Sequence, residues 1–510
     1  MEDLNQEDLS FEEEFSTGPK LSFLQSLNLD ADVTKRLSNY LGSLRNGNSD
    51  VYTTPLGKDH DPKSILAGWD NIVQANSHLL NDDLIDLELA NRSKFGPRSI
   101  AKPWKDRVES VRNYFNDRPV KYPHNLSIIR PTNQLRPKSL QFAIDRLKNN
   151  TNSGLPYFTR KSKVKPYLED RIEDLLKRRD PCILFTRTQE GNKTRDVWGY
   201  PVADTVLESM YYFSLLEHQR KLDWRSAIRG PIEVDKAITH CIDFAKSNGY
   251  SIISIDFSQY DASIRLDTIQ SAFNYIKSHF QSSFHGEIDY ICERFCSIPL
   301  LTPVGVVRGC HGVPSGSTFT NEVDSICQYI IAKSSGKVFD GAFQIQGDDG
   351  VYVTKTEDID ALFKSFKDNG LNVNVDKSYV KSDSCVYLQS LYSPEYRGKD
   401  GIIGGIYPTY RALNRLIYQE RWSDFMDFGL LGKDYYSIRA ICILENVKHH
   451  PLFEEFVKYI KSLDKYSLSY DQESVNRYYD MLVNGSGTGG VIYNQYGDDV
   501  KGLKSFATYK

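Results

Sequence analysis

The sequence sets two adjacent acids between two glycines in Gln344-Ile345-Gln346-Gly347-Asp348-Asp349-Gly350-Val351-Tyr352-Val353. Gly and Asp accept the dihedral angles of tight turns, and the flanking residues favour strands, so the stretch predicts a β-hairpin with a pair of carboxylates at its turn. Neighbouring carboxylates repel each other, and a divalent cation relieves that repulsion. A solvent-exposed turn has the same composition, and Gly497-Asp498-Asp499 repeats the tripeptide near the C-terminus. The rest of the chain has to show whether the first copy is a metal site.

Length and composition limit the class of protein. A chain of 510 residues is too long for one typical domain and predicts about three substructures. The net charge of −4 does not by itself indicate a nucleic-acid-binding protein, although a basic channel can lie inside an acidic exterior. The eight cysteines form no CxxC pair, which predicts free thiols in a reducing, intracellular compartment. No signal peptide and no apolar run of about 18 residues is visible, so a soluble protein is expected.

An apolar run upstream of the hairpin predicts a strand that ends in another acid. Ser251-Ile252-Ile253-Ser254-Ile255 is rich in β-branched residues and is followed directly by Asp256. A buried strand of this kind delivers a carboxylate into a cleft at its end. Asp261 follows five residues later, beyond a turn, and can approach the same place from another direction. The alternative for Asp261 is the N-cap of the next helix.

Two basic segments precede these acids. Residues 151–165 are turn-rich and lead into a run of cations, and small residues there would let the backbone approach a phosphate chain. Residues 185–201 predict a hairpin, whose cationic face would carry Arg187, Lys193 and Arg195. Guanidinium groups bind phosphate oxygens bidentately, so this face suits a triphosphate. A solvated loop and an ordinary surface hairpin are the alternative interpretations.

A Gly/Ser-rich loop leads into a predicted helix within residues 309–325. Ser315 or Ser317 is the expected N-cap of that helix. Thr320 and Asp324 are four residues apart, so their side chains are expected on one helix face. Because such loops are common, the meaning of this one depends on the motifs around it.

The remaining segments are assigned from periodicity and composition. Helices are predicted at 21–45, over much of 60–150, at 202–222, at 265–299 with an interruption at 281–286, at 357–370 and over most of 411–481. Strands are predicted at 300–307, 371–378 and 385–392, and a flexible glycine-rich linker at 484–490.

In this order, the segments resemble the motif set of viral RNA-dependent RNA polymerases, over nearly half of the chain. The amino-acid sequences of Gly312–Asn321 and of Thr194–Pro201 are most similar to those of the polymerases of picobirnaviruses and then of partitiviruses, both double-stranded RNA viruses. Asp256 precedes Ser315 by 59 residues, and Ser315 precedes Asp348 by 33 residues, spacings that suit the palm of such an enzyme.

The resemblance implies an α+β fold shaped as a right hand, with fingers, a thumb and a palm built on an antiparallel sheet backed by helices. The implied domains are an N-terminal extension at 1–60 that bridges fingers and thumb, fingers at 61–200 and 267–300, a palm at 201–266 and 301–395, and a thumb at 396–510 with a flexible C-terminal tail.

The resemblance also implies two-metal nucleotidyl transfer from ribonucleoside triphosphates, with two Mg²⁺ ions, or Mn²⁺ in their place. The implied catalytic residues are Asp256, Asp348, Asp349 and Lys377, and the implied metal ligands are Asp256, the Phe257 carbonyl, Asp348 and Asp349. The implied nucleotide-binding residues are Arg187, Lys193, Arg195, Asp261, Ser315, Gly316, Thr320 and Asp324. The implied RNA-binding residues are Ser153, Gly154, Pro156, Leu388 and Gln389.

Two positions leave alternatives open. Many positive-strand polymerases have Asn where this chain has Asp324, and an ionised Asp can only accept hydrogen bonds. Pairing of Asp324 with Asp261 would therefore need a water, a bridging hydroxyl or a shared proton. Lys381 is close enough in sequence to Lys377 to compete with it for the role of proton donor to pyrophosphate.

Two other functions compete with replication and transcription of a double-stranded RNA genome. A reverse transcriptase also has a palm, but it carries a bulky side chain where this chain has Asp261. A non-enzymatic RNA-binding virion protein would have no reason to keep Asp256, Ser315 and Asp348 in this order. The expected partners of a polymerase are template and product RNA, NTPs and the viral capsid protein. We expect a monomer with no membrane association, in the virion interior and the host cytoplasm.

Overall fold

The computed structural model describes residues 22–115, 129–486 and 506–509. The predicted N-terminal extension up to residue 21, the second Gly-Asp-Asp copy and linker residues 487–490 lie outside these ranges. The α-helices are α1 (Ala31–Asn46), α2 (Pro55–Asp59), α3 (Pro62–Ala75), α4 (Asp82–Arg92), α5 (Val108–Tyr114), α6 (Leu140–Asp145), α7 (Lys161–Val164), α8 (Leu168–Arg178), α9 (Val202–Gln219), α10 (Pro231–Asn248), α11 (Tyr260–Ser263), α12 (Leu266–His279), α13 (His285–Ser297), α14 (Thr320–Ser334), α15 (Ile359–Asp368), α16 (Thr409–Ile417), α17 (Gly432–Glu445), α18 (Phe453–Leu463) and α19 (Gln472–Ser486). The strands are β1 (Cys182–Gln189), β2 (Lys193–Gly199), β3 (Ser251–Ile255), β4 (Leu300–Thr302), β5 (Gly305–Val307), β6 (Phe343–Gln346), β7 (Asp349–Thr354), β8 (Tyr379–Lys381), β9 (Cys385–Tyr387) and β10 (Ser390–Tyr392).

The central sheet has the strand order β6-β7-β3-β8, and all its neighbouring strands are antiparallel. β6 and β7 form the hairpin predicted from the Gly-Asp-Asp stretch. Ile253 and Tyr352 pair across β3 and β7, and both are fully buried against helices α12 to α15. The predicted antiparallel sheet backed by helices is thus confirmed, and the apolar residues of the sheet hold its strands on the helical layer.

A second sheet has the order β2-β1-β4-β5. β1 and β2 are the predicted basic hairpin, joined along their length from Ile183–Gly199 to Gln189–Lys193. Residues 300–307 were expected to be one strand and instead form the hairpin β4–β5. The reason is local, because Pro303 in the turn lacks the N–H that a continuous strand would use.

The predicted strand at 371–378 is wrong. Although its side chains alternate strictly, the segment is joined to the end of β3 by an isolated bridge between Val373 and Phe257, and Val375–Lys377 form a 3₁₀ turn. The Asn374 N–H donates to the carbonyl of Asp256 at 2.9 Å, which bends this segment around the end of β3. The strand that pairs with β3 is β8, which begins only after this turn.

The predicted strand at 385–392 is a tight hairpin, β9–β10. Leu388 and Gln389 form its two-residue turn, with φ values of +47° and +67°. Two left-handed residues in succession match the twist of the flanking strands. The sequence gives no Gly or Asn here, so the alternation of apolar residues hid the turn.

The hydrophobic residues form several clusters that cross the chain order. One joins α12 to α15 with the central sheet. Another joins residues 56–84 with residues 391–478 and Phe506, and a third joins α1 with the second sheet. The N-terminal chain therefore packs on both the basic hairpin and the C-terminal helices. The domain boundaries drawn from the sequence remain a prediction.

The C-terminal part is helical, as expected, with two differences from the predicted flexible tail. Helix α19 extends to Ser486, so residues 484–486 are helical instead of linker. Phe506 is only 3% exposed and packs in the cluster of the C-terminal helices. The eight cysteines all lie in described ranges and are free thiols, as predicted. None of the helices in those ranges is both long and apolar enough for a membrane span.

Candidate active site

Three carboxylates meet where β3 ends beside the β6–β7 hairpin. The antiparallel register continues from Ile255 so that Asp256 lies next to Asp349. Asp348 stands in the two-residue turn of the hairpin, where Gly347 has a φ of +63°. Asp256 and Asp348 are exposed, and Asp349 is half-buried. The structure therefore brings together the three acids that the sequence singled out.

The electrostatics of this cluster favour a bound cation. Partial desolvation of its carboxylate raises the pKa of Asp256, Lys377 lowers it, and the charge of Asp348 raises it further. Burial also raises the pKa of Asp349, and the charges of Asp348 and Asp256 add to that effect. Carboxylate oxygens are the ligands that hard divalent cations prefer, so the donor set fits such an ion and repulsion within it would be relieved. In the described ranges, however, no three His, Cys, Asp or Glu side chains are gathered closely enough to hold a metal. The three acids are neighbours, but their carboxylates are not arranged to bind one metal ion together.

The structure separates the two lysines that the sequence left in competition. The Asp256 N–H donates to Ser378 Oγ at 3.1 Å, so Lys377 lies next to the end of β3. Lys381 instead pairs with Ile252 within the sheet and forms an ion pair with Asp83 at 3.1 Å. Lys377, which is exposed, is the lysine beside the acids.

Helix α14 clamps the turn of the hairpin through residues that sequence reasoning missed. The Gly347 N–H donates to Ser325 Oγ at 2.8 Å, and Gln328 Nε2 donates to the Gly347 carbonyl at 2.7 Å. The Tyr352 hydroxyl holds the other end of the Gln328 amide at 2.7 Å. Ser325 and Gln328 are three residues apart and share one helix face. That spacing was visible in the sequence, but nothing in it named Gly347 as the partner.

A buried ion pair lies beneath the same hairpin. Arg225 Nη2 and Glu322 Oε1 are 2.5 Å apart, and the side chains are 0% and 1% exposed. Arg225 Nη1 also reaches the Ile345 carbonyl at 3.4 Å. This pair ties α14 to β6 from below, and the sequence separation of its members concealed it.

Asp261 and Ser315 are in direct contact, and their predicted role at the ribose remains a prediction. The Ser315 hydroxyl donates to Asp261 Oδ2 and also lies 3.1 Å from the hydroxyl of Tyr114. Asp261 is not the helix N-cap, because Gln259 occupies that position before α11. Burial raises the pKa of Asp261, whereas the Ser315 hydrogen bond lowers it. Tyr114 was missed, because nothing in the sequence linked it to this loop.

The loop before α14 does not cap the helix in the way predicted. The N-cap residue is Phe319, and no side chain caps the helix there. Gly316 packs so closely on β2 that an added Cβ would lie 2.0 Å from the Trp198 carbonyl, and its φ is +154°. The Thr320 hydroxyl lies 3.0 Å from both the Pro314 and the Ser317 carbonyls and shares its one proton between them. Gly316 and Thr320 are therefore engaged in shaping the loop.

Asp324 is buried on the same helix. Its side chain is 5% exposed, and Oδ1 has no hydrogen-bond partner. Burial raises the pKa of Asp324 well above its usual range, and the charges of Asp261 and Asp348 raise it further. The neutral acid is favoured, and a neutral carboxyl has a proton to donate. The pairing of Asp324 with Asp261 remains a prediction.

Glu208 of α9 holds the other end of the loop. Its carboxyl group accepts from the Ser317 hydroxyl at 2.8 Å and from the Thr318 N–H at 2.7 Å. Burial raises the pKa of Glu208 to about 8. The residue was missed because it lies inside a helix that the sequence marked only as partly buried.

We expect Glu208→Gln to flatten the pH dependence of stability. The folded state keeps the proton on Glu208 up to about pH 8, whereas the unfolded chain loses it near 4.5. The unfolded chain then binds fewer protons, so this group destabilises the fold increasingly as the pH rises from about 4.5 to about 8. The melting temperature, measured across that window, should fall less steeply in Glu208→Gln than in the natural protein. The control is Glu217→Gln, an exposed position on the same helix, which should leave the slope unchanged.

The basic hairpin faces the acids. The charges of Asp348 and Asp256 act on Lys193 and raise its pKa, although burial and Arg195 lower it by more. Lys94, which the sequence analysis did not single out, lowers the pKa of both Asp256 and Lys193. Lys94 therefore adds to the positive charge that Lys193 and Arg195 place near the acids.

Ion pairs fix the hairpin between the N-terminal chain and α16. Glu190 at its tip pairs with Arg411 at 3.0 Å and with Arg98 at 3.3 Å. Arg187 lies 3.6 Å from Glu420, so in this structure it faces a carboxylate beyond α16. These contacts hold the hairpin tip against the C-terminal helices.

The five predicted RNA-binding residues lie in two loops. Ser153 and Gly154 are buried, and the Ser153 carbonyl accepts from the Val202 N–H at 2.8 Å. Pro156 is half-buried in the same loop. Leu388 and Gln389 form the β9–β10 turn, and Gln389 is exposed there. Contact of these residues with RNA remains a prediction.

Comparisons with known proteins agree with this arrangement. The family profile described as "Viral RNA-dependent RNA polymerase" matches residues 107–402. A "Potential RNA-dependent RNA polymerase" of human picobirnavirus is 29% identical over 460 residues, with 84% of each chain covered. An "RNA-directed RNA polymerase" of Cryptosporidium parvum virus 1 is 26% identical over 339 residues, covering 56% of this chain and 64% of that one.

Solved structures share the fold over nearly the whole chain. The crystal structure of the RNA-dependent RNA polymerase of a human picobirnavirus matches with a TM-score of 0.79 and 24% identity, covering 93% of this chain and 95% of that one. Its insertion-loop deletion mutant matches with a TM-score of 0.76 and 25% identity, covering 93% and 96%. The predicted right-hand fold is confirmed by these matches.

Proposed function

The chain belongs to the viral RNA-dependent RNA polymerases, and on that premise we propose that it replicates and transcribes a viral double-stranded RNA genome from NTPs. The observation that carries the proposal is the convergence of Asp256, Asp348 and Asp349 at the end of the central sheet, opposite the basic hairpin. Acids to bind metal and cations to bind triphosphate are what nucleotidyl transfer requires.

In this proposal Asp256 and Asp348 hold two Mg²⁺ ions, with Asp349 and the Phe257 carbonyl as further ligands. Mn²⁺ would serve as a substitute, because the ligands are all oxygens. When bound, such ions neutralise the triphosphate and make the 3′-hydroxyl of the growing strand more acidic. Lys193 and Arg195 bind the triphosphate, and Arg187 does so once it leaves Glu420. Lys377, beside Asp256, holds the proton that pyrophosphate needs as it departs.

Asp261, Ser315 and Asp324 form the ribose site of this proposal. Their side chains supply acceptors and, from the neutral Asp324, a donor at one place beside the acids. Gly316 and Thr320 keep the loop in the shape that presents Ser315. The two predicted RNA-contact loops would guide the template strand at Pro156 and grip the product strand at Gln389.

The direct test is incorporation of labelled ribonucleotides by the pure protein on single- and double-stranded RNA templates. We expect a template-dependent product with Mg²⁺ or Mn²⁺, and a preference for NTPs over dNTPs. Absence of any NTP-dependent product with either metal would rule out the polymerase. Equal use of dNTPs would favour the reverse-transcriptase alternative, and RNA binding without synthesis would favour a virion RNA-binding protein.

Asp324→Asn should retain activity and ribose selectivity to within a few-fold. The amide has the shape of the neutral acid and also donates a hydrogen bond, so the buried position keeps its donor. Asp324→Leu removes the donor, and one lost hydrogen bond of about 1.4 kcal/mol lowers the preference for CTP over dCTP about tenfold. Competition between the two nucleotides on one template measures the ratio. Loss of activity in Asp324→Asn equal to that in Asp324→Leu would show that the ionised carboxylate is required.

We also propose the surroundings of the enzyme. The partners are template and product RNA, NTPs and the viral capsid protein, and the protein acts as a monomer in the virion interior and host cytoplasm. Gradient sedimentation of purified virions together with the protein tests the capsid association. Recovery of the polymerase only outside particles would contradict it.

A further inference from the structure

Tyr114 lies at the C-terminal end of α5 and contacts the loop before α14 twice, at Gly312 and at Ser315. Its backbone carbonyl accepts from the Gly312 N–H at 2.8 Å. Its hydroxyl lies 3.1 Å from Ser315 Oγ. The ring packs 5.7 Å from that of Trp198, and the backbone N–H of Trp198 donates to the Ser315 carbonyl at 2.9 Å. Tyr114 is thus fixed by backbone, ring and hydroxyl at the residue proposed to meet the ribose.

The valence of the Ser315 hydroxyl decides what it can still bind. A serine hydroxyl has one proton and two lone pairs. Two neighbours, the Asp261 carboxyl and the Tyr114 hydroxyl, already take part in hydrogen bonds with it. Whichever way the protons run along Tyr114, Ser315 and Asp261, one bond uses the Ser315 proton and the other uses one lone pair. One lone pair is left, and it can only accept.

We propose that Tyr114 is a specificity-determining positioning residue, which by occupying Ser315 leaves that hydroxyl a single acceptor position for the ribose. The proposal rests on the polymerase function proposed above. The enzyme then selects nucleotides whose 2′ substituent donates a hydrogen bond. A 2′-hydroxyl or a neutral 2′-amino group can donate, whereas 2′-hydrogen and 2′-fluorine cannot.

The surroundings of Tyr114 keep it in this role. Burial, and next the charge of Asp261, raise the pKa of the Tyr114 phenol above its usual range, so the hydroxyl stays protonated. With Asp261 ionised, Ser315 donates to Asp261, and Tyr114 must donate to Ser315, because a carboxylate only accepts. If Asp261 instead carries a proton, the chain runs in the opposite direction, and Ser315 donates to Tyr114. The two directions differ in what Tyr114→Phe releases at Ser315, a lone pair in the first case and a proton in the second.

The test uses four forms of cytidine triphosphate, with 2′-hydroxyl, 2′-amino, 2′-fluoro and 2′-hydrogen groups. Single-nucleotide incorporation by the full-length protein gives kcat/KM for each, at a pH where the amine is neutral. We expect the 2′-amino form to be used about tenfold better than the 2′-fluoro form, as one hydrogen bond implies. Equal use of the amino and fluoro forms would overturn the donor requirement. Failure to incorporate even CTP would count against the polymerase itself, which is a distinguishable result.

The variant Tyr114→Phe removes only the hydroxyl and keeps the ring on Trp198. Ser315 keeps an acceptor lone pair in this variant but loses one of the two hydrogen bonds that fix its direction, so we expect the preference for CTP over dCTP to fall about three- to tenfold. The value of kcat/KM for dCTP should stay unchanged, because dCTP makes no bond to Ser315. In a Ser315→Ala background the same change should have no further effect, because Tyr114 acts through Ser315. A gain in use of 2′-fluoro CTP by Tyr114→Phe would show that the variant released the Ser315 proton. The hydrogen bonds among Asp261, Ser315 and Tyr114 would then run in the reversed direction, with Ser315 donating to Tyr114.

Two outcomes would overturn the role of Tyr114. One is an equal loss of activity with CTP and dCTP, which would indicate a merely structural effect. The other is additivity of Tyr114→Phe and Ser315→Ala. Tyr40→Phe is the matched control, since it removes a tyrosine hydroxyl that donates to the Leu184 carbonyl at 3.0 Å, away from the loop. That control should leave the CTP to dCTP ratio as it is.

Discussion

Asp348→Ala is expected to abolish RNA synthesis. Asp348 stands in the turn of the hairpin, and its negative charge acts on Asp256 and Asp349. Its carboxylate would therefore add to the binding of a cation by these two acids. Stabilisation of developing charge by such an ion is worth several kcal/mol, and about 4 kcal/mol corresponds to a loss of about a thousandfold in kcat. Incorporation of labelled NTPs measures the loss, and a thermal melt checks that the variant is folded.

The matched control is the second copy of the tripeptide. Asp499→Ala removes the second acid of that copy, an Asp in the same Gly-Asp-Asp tripeptide but apart in sequence from the strand and loop motifs that surround Asp348. It should leave synthesis intact. Residual activity of Asp348→Ala above a few per cent of the natural protein, or an equal loss in Asp499→Ala, would contradict the assignment. Titration with Mn²⁺ gives a second readout, because Asp348→Ala should weaken metal binding even where no product forms.

Local sequence was sufficient wherever the partners are close in the chain. The hairpin around Asp348 and the strand that ends at Asp256 were both predicted correctly, since turn residues and β-branched runs act over a few positions. The basic hairpin was predicted for the same reason. The α+β class and the family followed from the order of these local motifs.

Prediction was wrong where backbone partners, not side chains, decide the conformation. Residues 371–378 alternate like a strand, yet the bond from Asn374 to the Asp256 carbonyl turns the chain. Leu388 and Gln389 adopt left-handed angles without a glycine, so alternation concealed a hairpin. Residues 371–378 are held to the end of β3 by an isolated bridge and form no ladder, whereas residues 385–392 turn back and pair with themselves.

Contacts between residues that are far apart in the chain could not be predicted from the sequence. Ser325 and Gln328 hold Gly347, and Tyr114 holds Ser315, although no pattern links these pairs along the chain. The acids that we propose as catalytic could be found because metal binding requires particular residue types. The residues that position them need only a donor or an acceptor at one place, and many residue types supply that.

The buried pair of Arg225 and Glu322 yields the largest expected effect on stability. Both side chains are essentially inaccessible, and no second carboxylate is paired with Arg225 among the described residues. Glu322→Ala leaves a guanidinium buried without its counter-ion, which costs about 3–5 kcal/mol of unfolding free energy. Because Arg225 also reaches the Ile345 carbonyl in β6, loss of its position should loosen the strand that leads to Asp348.

The double variant Arg225→Met/Glu322→Leu separates the charge from the packing. It replaces both ions by apolar side chains of similar size, and such replacements of buried pairs are often neutral or stabilising. We expect urea unfolding to show a large loss in Glu322→Ala and little loss in the double variant. A double variant as unstable as Glu322→Ala would show that the site depends on the ion pair itself. If the double variant is stable but slow in synthesis, the pair serves to position the hairpin under Asp348, since the fold would persist without the charges while the turn lost its anchor.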